Sequence, residues 1–143
     1  MPEFASLGYR MVAVMIDTAI LFGGEAAVFY TYFSAEALEA MGADLSRRLF
    51  IFFMAPLWVL YFTLLEGAIG QTIGKRIVNI KVVKADGEEI TYSKALIRNF
   101  LRFIDALGPA PYILGMIIIM ITKNKQRLGD MAAGTIVVKR DTK

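Results

Sequence analysis

Two long apolar blocks constrain this chain more than any other feature. One runs from about Met11 to Phe33 and the other from Leu49 to Ile69. Each is long enough to cross a hydrocarbon core of about 30 Å as a helix. Pro56 interrupts the second and is expected to bend it, which membrane helices tolerate when neighbours satisfy the freed carbonyl. With 143 residues in all, two such helices leave room for one compact unit rather than a second domain. Hydrophobic residues make up 57% and mean hydropathy is +0.54. Because that excess sits in blocks, it points to lipid and not to an oversized core. The first block does not read as a cleavable signal: Glu3 precedes Arg10, Asp17 interrupts the run, and no small-x-small site ends it.

Residues 1–69 are therefore expected to form two transmembrane helices. The stretch between them, Ser34 to Arg48, carries Glu36, Glu39 and Asp44 and would lie on the outer side. Arg47 and Arg48 would snorkel at the foot of the second helix. Residues 70–92 change texture. Gly70 to Lys75 reads as a turn, and Ile77 to Lys84 is rich in β-branched residues and reads as a strand. Ala85 to Glu88 is a turn signal, after which Glu89 to Tyr92 would return as a short strand. Gly134 to Arg140, in the tail 123–143, is a further strand candidate. Together these pieces predict a small antiparallel sheet outside the membrane.

Residues 93–122 decide the topology. Ser93 would cap a helix through about Leu107, Gly108-Pro109-Ala110-Pro111 breaks it, and a second run covers Tyr112 to Thr122. Each arm is too short for a full crossing at 1.5 Å per residue. Six basic residues lie between Lys75 and Arg98, and six more follow from Lys123 to Lys143. The positive-inside rule places both groups in the cytoplasm. An even number of passes must separate them, so a re-entrant or short helical hairpin with its Gly-Pro tip in the membrane is expected. The fold class expected is thus a mainly α membrane protein: two transmembrane helices, this hairpin, and a small cytoplasmic antiparallel β-sheet.

Charges inside the apolar spans are the candidate site. Arg10, Asp17 and Glu25 fall within roughly 80° on one helix face, and Arg98, Arg102 and Asp105 share a face of the third region. A lone charge near the membrane centre costs roughly 3 kcal/mol on insertion scales. The acidic and basic members of the two stripes are therefore expected to face each other or a wet cavity. They would then be either structural ion pairs or stations on an ion or proton pathway, with Arg10, Asp17, Arg102 and Asp105 foremost and Glu25, Arg98, Asp130 and Lys75 as secondary candidates. Glu25 and Glu66, near helix ends, are expected to be solvated at the interfaces.

Other chemistries find little support. With no cysteine and no histidine, thiolate catalysis, disulfides and imidazole proton transfer are excluded. No metal-ligand cluster and no nucleophile beside a base is evident, so neither an enzyme nor a cofactor or metal is expected. Gly70 to Lys75 fails as a phosphate loop: its spacing is short, no Ser or Thr follows Lys75, and a membrane helix precedes it. Asp130, in Arg127-Leu128-Gly129-Asp130, would cap a helical turn or pair with a lysine of the Gly70–Lys75 turn. The net charge of +3 and pI near 9.2 belong to residues flanking the apolar blocks, which points to anionic lipid head groups and not to nucleic acid.

The chain resembles the RDD family of small membrane proteins, named for one arginine and two aspartates. The resemblance rests on Arg10-Met-Val-Ala13 leading to Asp17, on Gly70-Gln-Thr-Ile-Gly-Lys75, on Ala95-Leu-Ile-Arg98 with Arg102 and Asp105, and on Gln126-Arg-Leu-Gly-Asp-Met-Ala-Ala-Gly-Thr-Ile-Val-Val138. It implies a single domain over 1–143 in a prokaryotic plasma membrane. Arg10 and Asp17 map onto the opening Arg and Asp, and Asp105, ahead of Asp130, onto the other aspartate. The resemblance carries no settled activity: transport, including cation/proton exchange, has been proposed for some members, and others look like accessory or regulatory partners. Two expectations follow. The first is monovalent cation/proton exchange through Asp17 and Asp105 in a homo-oligomer, since so few spans cannot enclose a pathway alone. The alternative is a non-catalytic accessory module that binds another membrane protein.

Overall fold

A computed structural model describes residues 3–106 and 113–140, the side chains of 103–106 and 113–115 excepted. The two apolar blocks form the helices α1 (Leu7–Tyr32) and α3 (Ala43–Ile69), both long and apolar enough to cross a membrane. At 1.5 Å per residue each is about 40 Å long. Both start earlier than the apolar blocks, because the helix continues through Arg10 and through Asp44, Arg47 and Arg48 into polar surroundings. Pro56 lies inside α3. The faces of these helices are aromatic and aliphatic and largely bare: Phe22, Val28, Ile51 and Phe52 are each more than half exposed. Contacts between them include Phe22 and Phe29 edge-on to Phe50, at 5.7 and 5.3 Å between centroids. The connection is a short helix, α2 (Ala35–Met41), capped by Ser34. Arg47 and Arg48 both pair with Asp44.

At the other end of the α1–α3 pair a small polar-lined unit assembles. It comprises α4 (Ile73–Ile77), β1 (Ile80–Lys84), α5 (Tyr92–Ala106), α6 (Ile113–Ile121), α7 (Leu128–Ala133) and β2 (Thr135–Lys139). The strands pair antiparallel, from Ile80 opposite Lys139 to Lys84 opposite Thr135. Residues 3–5 lie along the far edge of β2: Ala5 N–H donates to Val137 O, and Lys139 N–H donates to Glu3 O. The sheet therefore ties both ends of the chain together. Its apolar face joins Ala13 of α1 and Ala95 of α5 in a core with Ile80, Val82, Ile90 and Val137.

Three local expectations are corrected. Gly70–Lys75 is not simply a turn, since its second half opens α4, with Thr72 as the cap accepting from Lys75 N–H. The strand begins at Ile80 and not Ile77, because α4 runs to Ile77 and Asn79 takes a left-handed φ of 55°. Glu89 makes only an isolated bridge to Val83, and the chain turns into α5 at Tyr92, one residue ahead of the expected cap Ser93. In the third apolar region the described residues form α5 and α6, and Gly108–Pro111 lies outside the described residues. The strands that flank this region in the chain pair with each other.

Candidate functional site

The site forms where α1, α3, α4, α5 and α7 converge. Gly70 ends α3 in a left-handed conformation (φ 70°) and turns the chain back so that α4 packs beside α1. Gly74 makes this approach possible, since a Cβ there would collide with the Ala13 carbonyl oxygen. Gly129 does the same for α7 against α5: a Cβ would sit 2.6 Å from Arg98 O. Two glycines thus bring short helices against the backbones of longer ones and place their polar side chains in the gap.

Asp17 is fully buried on α1. It accepts from Tyr61 Oη at 2.8 Å, Thr72 Oγ1 at 2.5 Å and Gly74 N–H at 2.7 Å. It therefore adds to the Thr72 cap of α4 from another helix, accepting from Gly74 N–H and supplying negative charge at the helix start. Its described partners are neutral donors and include no arginine. Asp130, equally buried, is the arginine partner: Arg10 Nη1 reaches Oδ2 and Arg98 Nη2 reaches Oδ1, each at 2.9 Å. Arg127 Nη2 stands 3.8 Å away, and Arg127 N–H donates to Asp130 Oδ2 at 3.2 Å, so Asp130 also caps α7. Burial acts to raise the Asp130 pKa, but Arg98, Arg127 and Arg10 together hold it well below the ordinary aspartate value.

A third buried carboxylate, Glu66 of α3, completes the cluster. It pairs with Lys75 Nζ, with Arg98 Nε at 3.2 Å and with Asn99 Nδ2 at 3.0 Å. Burial pushes the Lys75 ammonium down, to about 7, against the upward pull of Glu66. Arg98 bridges Glu66 to Asp130 and so links α3, α5 and α7. Such pairing offsets desolvation that would otherwise cost several kcal/mol per ion. Arg102 places its guanidinium over the Phe62 ring, 4.0 Å from the centroid.

Some expectations about these residues are thereby corrected. Among the described side chains, Arg10 and Arg98 find their carboxylate partners on α3 and α7 and not on the opposite stripe. The reason is that α7 packs against α5 and brings Asp130 to Arg10 and Arg98. Glu66 is not solvated at an interface but wholly buried among donors. Glu25 is also buried, on α1 away from the cluster, with Trp58 as its polar neighbour. Asp130 pairs with arginines rather than with a lysine of the Gly70–Lys75 segment. The Asp105 side chain lies outside the described residues. Glu66, Tyr61, Thr72, Asn99 and Arg127 are site residues that sequence reasoning missed. A glutamate inside an apolar run was the available signal for Glu66; a tyrosine in a membrane helix carries none.

Two long bare apolar helices, joined to a unit whose interior is charged, define a small helical integral membrane protein. The chain belongs to the RDD family, whose model matches residues 4–134. No curated protein and no solved structure matches it at a significant level.

Proposed function

We propose that this chain is a non-catalytic membrane module that binds or regulates another membrane protein, and that its intramembrane charges are scaffolding. The observation that carries this reading is that each cluster carboxylate is engaged by donors or cations of the same chain. Asp17, Glu66 and Asp130 are all fully buried and held by fixed donors of the same chain. A carboxylate that exchanges ions needs an open coordination position; both oxygens of Asp17 and of Glu66 are taken by hydrogen bonds, and Asp130 is held between arginines.

The topology that goes with it has the strands and C-terminus in the cytoplasm of a prokaryotic plasma membrane and α5–α6 as a re-entrant hairpin. Pairing of β1 with β2 supports the hairpin, since a single crossing would part the strands. The makeup of α5 supports it too. Arg98 and Asn99 are buried, while Leu96, Ile97 and Phe100 are 48, 45 and 63% exposed, the reverse of a helix on a water-soluble core. The sheet and basic rim would supply the partner surface. Affinity purification from native membranes after mild solubilisation tests the idea: a stoichiometric membrane partner is expected, and repeated recovery of the chain alone overturns it.

One observation favours the second reading, monovalent cation/proton exchange by a homo-oligomer. Glu25 sits within α1 without an ion pair among the described residues, and it lines a cavity of about 450 Å³ with Phe29, Phe53 and Leu57. In that reading Glu25 would be the exchanging carboxylate, in place of Asp17. Liposomes carrying the purified protein, pulsed with sodium or potassium while lumenal pH is followed, separate the two. A flat trace is expected; cation-dependent proton flux lost in Glu25→Gln would establish exchange.

A further inference from the structure

Between α1, α5 and α6 lies a cavity of about 250 Å³ whose accessible wall is mostly apolar and behind which basic side chains gather. Met11, Val14, Met15 and Ile119 belong to the apolar wall, and Arg10, Lys75, Arg98 and Arg127, with Arg102 beside them, also line the cavity. The carboxylates that touch the first four are Glu66 and Asp130. Among the described residues, three arginines and a lysine thus face two carboxylates.

The arginines also have donors to spare. Arg10 is 8% exposed and Arg98 1% exposed. Among the described residues, Arg10 Nε and Nη2 and Arg98 Nη1 are buried without a hydrogen-bond acceptor. A guanidinium carries five N–H donors in a rigid fork and cannot shed its charge. Burying such donors unpaired is costly, and an anion with several oxygens removes that cost. Arg127, held only loosely at 3.8 Å from Asp130, can turn to such a ligand without breaking the Arg10–Asp130 or Arg98–Asp130 pairs.

The geometry points to a binding site for a phosphate group in this cavity, its oxygens taken by Arg10, Arg98 and Arg127. The apolar wall suits acyl chain, so an anionic phospholipid head group entering from the bilayer is the favoured source, and free phosphate shares the same chemistry. This inference goes beyond the partner-binding reading and stands whether or not a protein partner exists.

The test uses the purified full chain in detergent, titrated with phosphatidylglycerol, with phosphatidylcholine of the same chain length, and with inorganic phosphate. The readouts are the thermal unfolding midpoint and bound lipid phosphorus. Phosphatidylglycerol is expected to raise the midpoint saturably and phosphatidylcholine to leave it unchanged. Inorganic phosphate that raises the midpoint and competes assigns the site to phosphate from either source; phosphate that does neither, beside a positive lipid, assigns it to the head group. Arg127→Gln, which leaves both 2.9 Å pairs intact, should weaken the response about tenfold, the worth of one charge-assisted hydrogen bond. Arg10→Lys, which keeps a cation for Asp130 but removes the spare donors, should weaken it similarly. The exposed pair Arg47→Gln and Arg48→Gln should have no effect. Equal responses to the two lipids, no response to any of the three ligands, or a phosphatidylglycerol response kept in Arg127→Gln and lost in the Arg47/Arg48 variant would overturn the proposal.

Discussion

The Gly74 amide donates to Asp17 Oδ1 at 2.7 Å, so a carboxylate in the first spanning helix caps a short helix that begins 56 residues later, at Ile73. The contact needs the two backbones close together, and only glycine permits that. Gly74→Ala would drive a methyl group into the Ala13 carbonyl. The expected loss is about 3 kcal/mol, at the upper end for overpacking. Unfolding in detergent would measure it, with Gly23→Ala, where a Cβ meets nothing, as the neutral comparison.

Asp17→Asn should act on stability and not on transport. The amide keeps acceptors for Gly74 and Tyr61 but loses the charge facing the α4 N-terminus and one acceptor. About 2 kcal/mol of destabilisation is expected, the scale of a charge-assisted hydrogen bond. Liposome flux measured beside unfolding should be the same for both proteins; flux present in the parent and absent in a folded variant would return Asp17 to an ion pathway.

Asp130→Asn should be far more damaging than Asp44→Asn. The first takes the carboxylate from Arg10 in the interior and leaves Arg98 with Glu66 alone, a loss of about 3–5 kcal/mol for a broken buried pair. Asp44 pairs with Arg47 and Arg48 on the surface, where about 1 kcal/mol or less is at stake. Comparing both variants in one denaturation series checks the ordering.

Acid should expose the same interaction. The Asp130 carboxyl is held below its ordinary value of 3.8, so the unfolded chain takes up its proton first as pH falls. Its stabilising contribution is complete above the unfolded value and declines below about pH 4 as the folded value is approached. Stability measured from pH 7 to pH 3 should fall more steeply for the parent chain than for Asp130→Asn; parallel curves would mean that Asp130 does not titrate differently on folding.

The sequence alone sufficed for whatever depends on neighbours along the chain. The two long apolar helices follow from apolar length, β1 and β2 from β-branched runs, and the burial of Arg10, Asp17, Arg98 and Arg102 from charges set in apolar stripes. What it could not settle was which charge meets which. Helical spacing places a residue on a face but does not say what packs there, and Asp130 reaches Arg10 across 120 positions of chain. Read locally, Gly70–Lys75 is a turn; α4 within it is capped by Asp17 from another helix. Glu66 looks interfacial by its position near the end of α3, yet the reversal at Gly70 folds Lys75 back over it while α5 supplies Arg98 and Asn99. Charge pairing in an apolar setting is decided by tertiary contact, because the low dielectric makes an unpaired ion so costly that the packing of α4, α5 and α7 must bring each carboxylate of the cluster its donors.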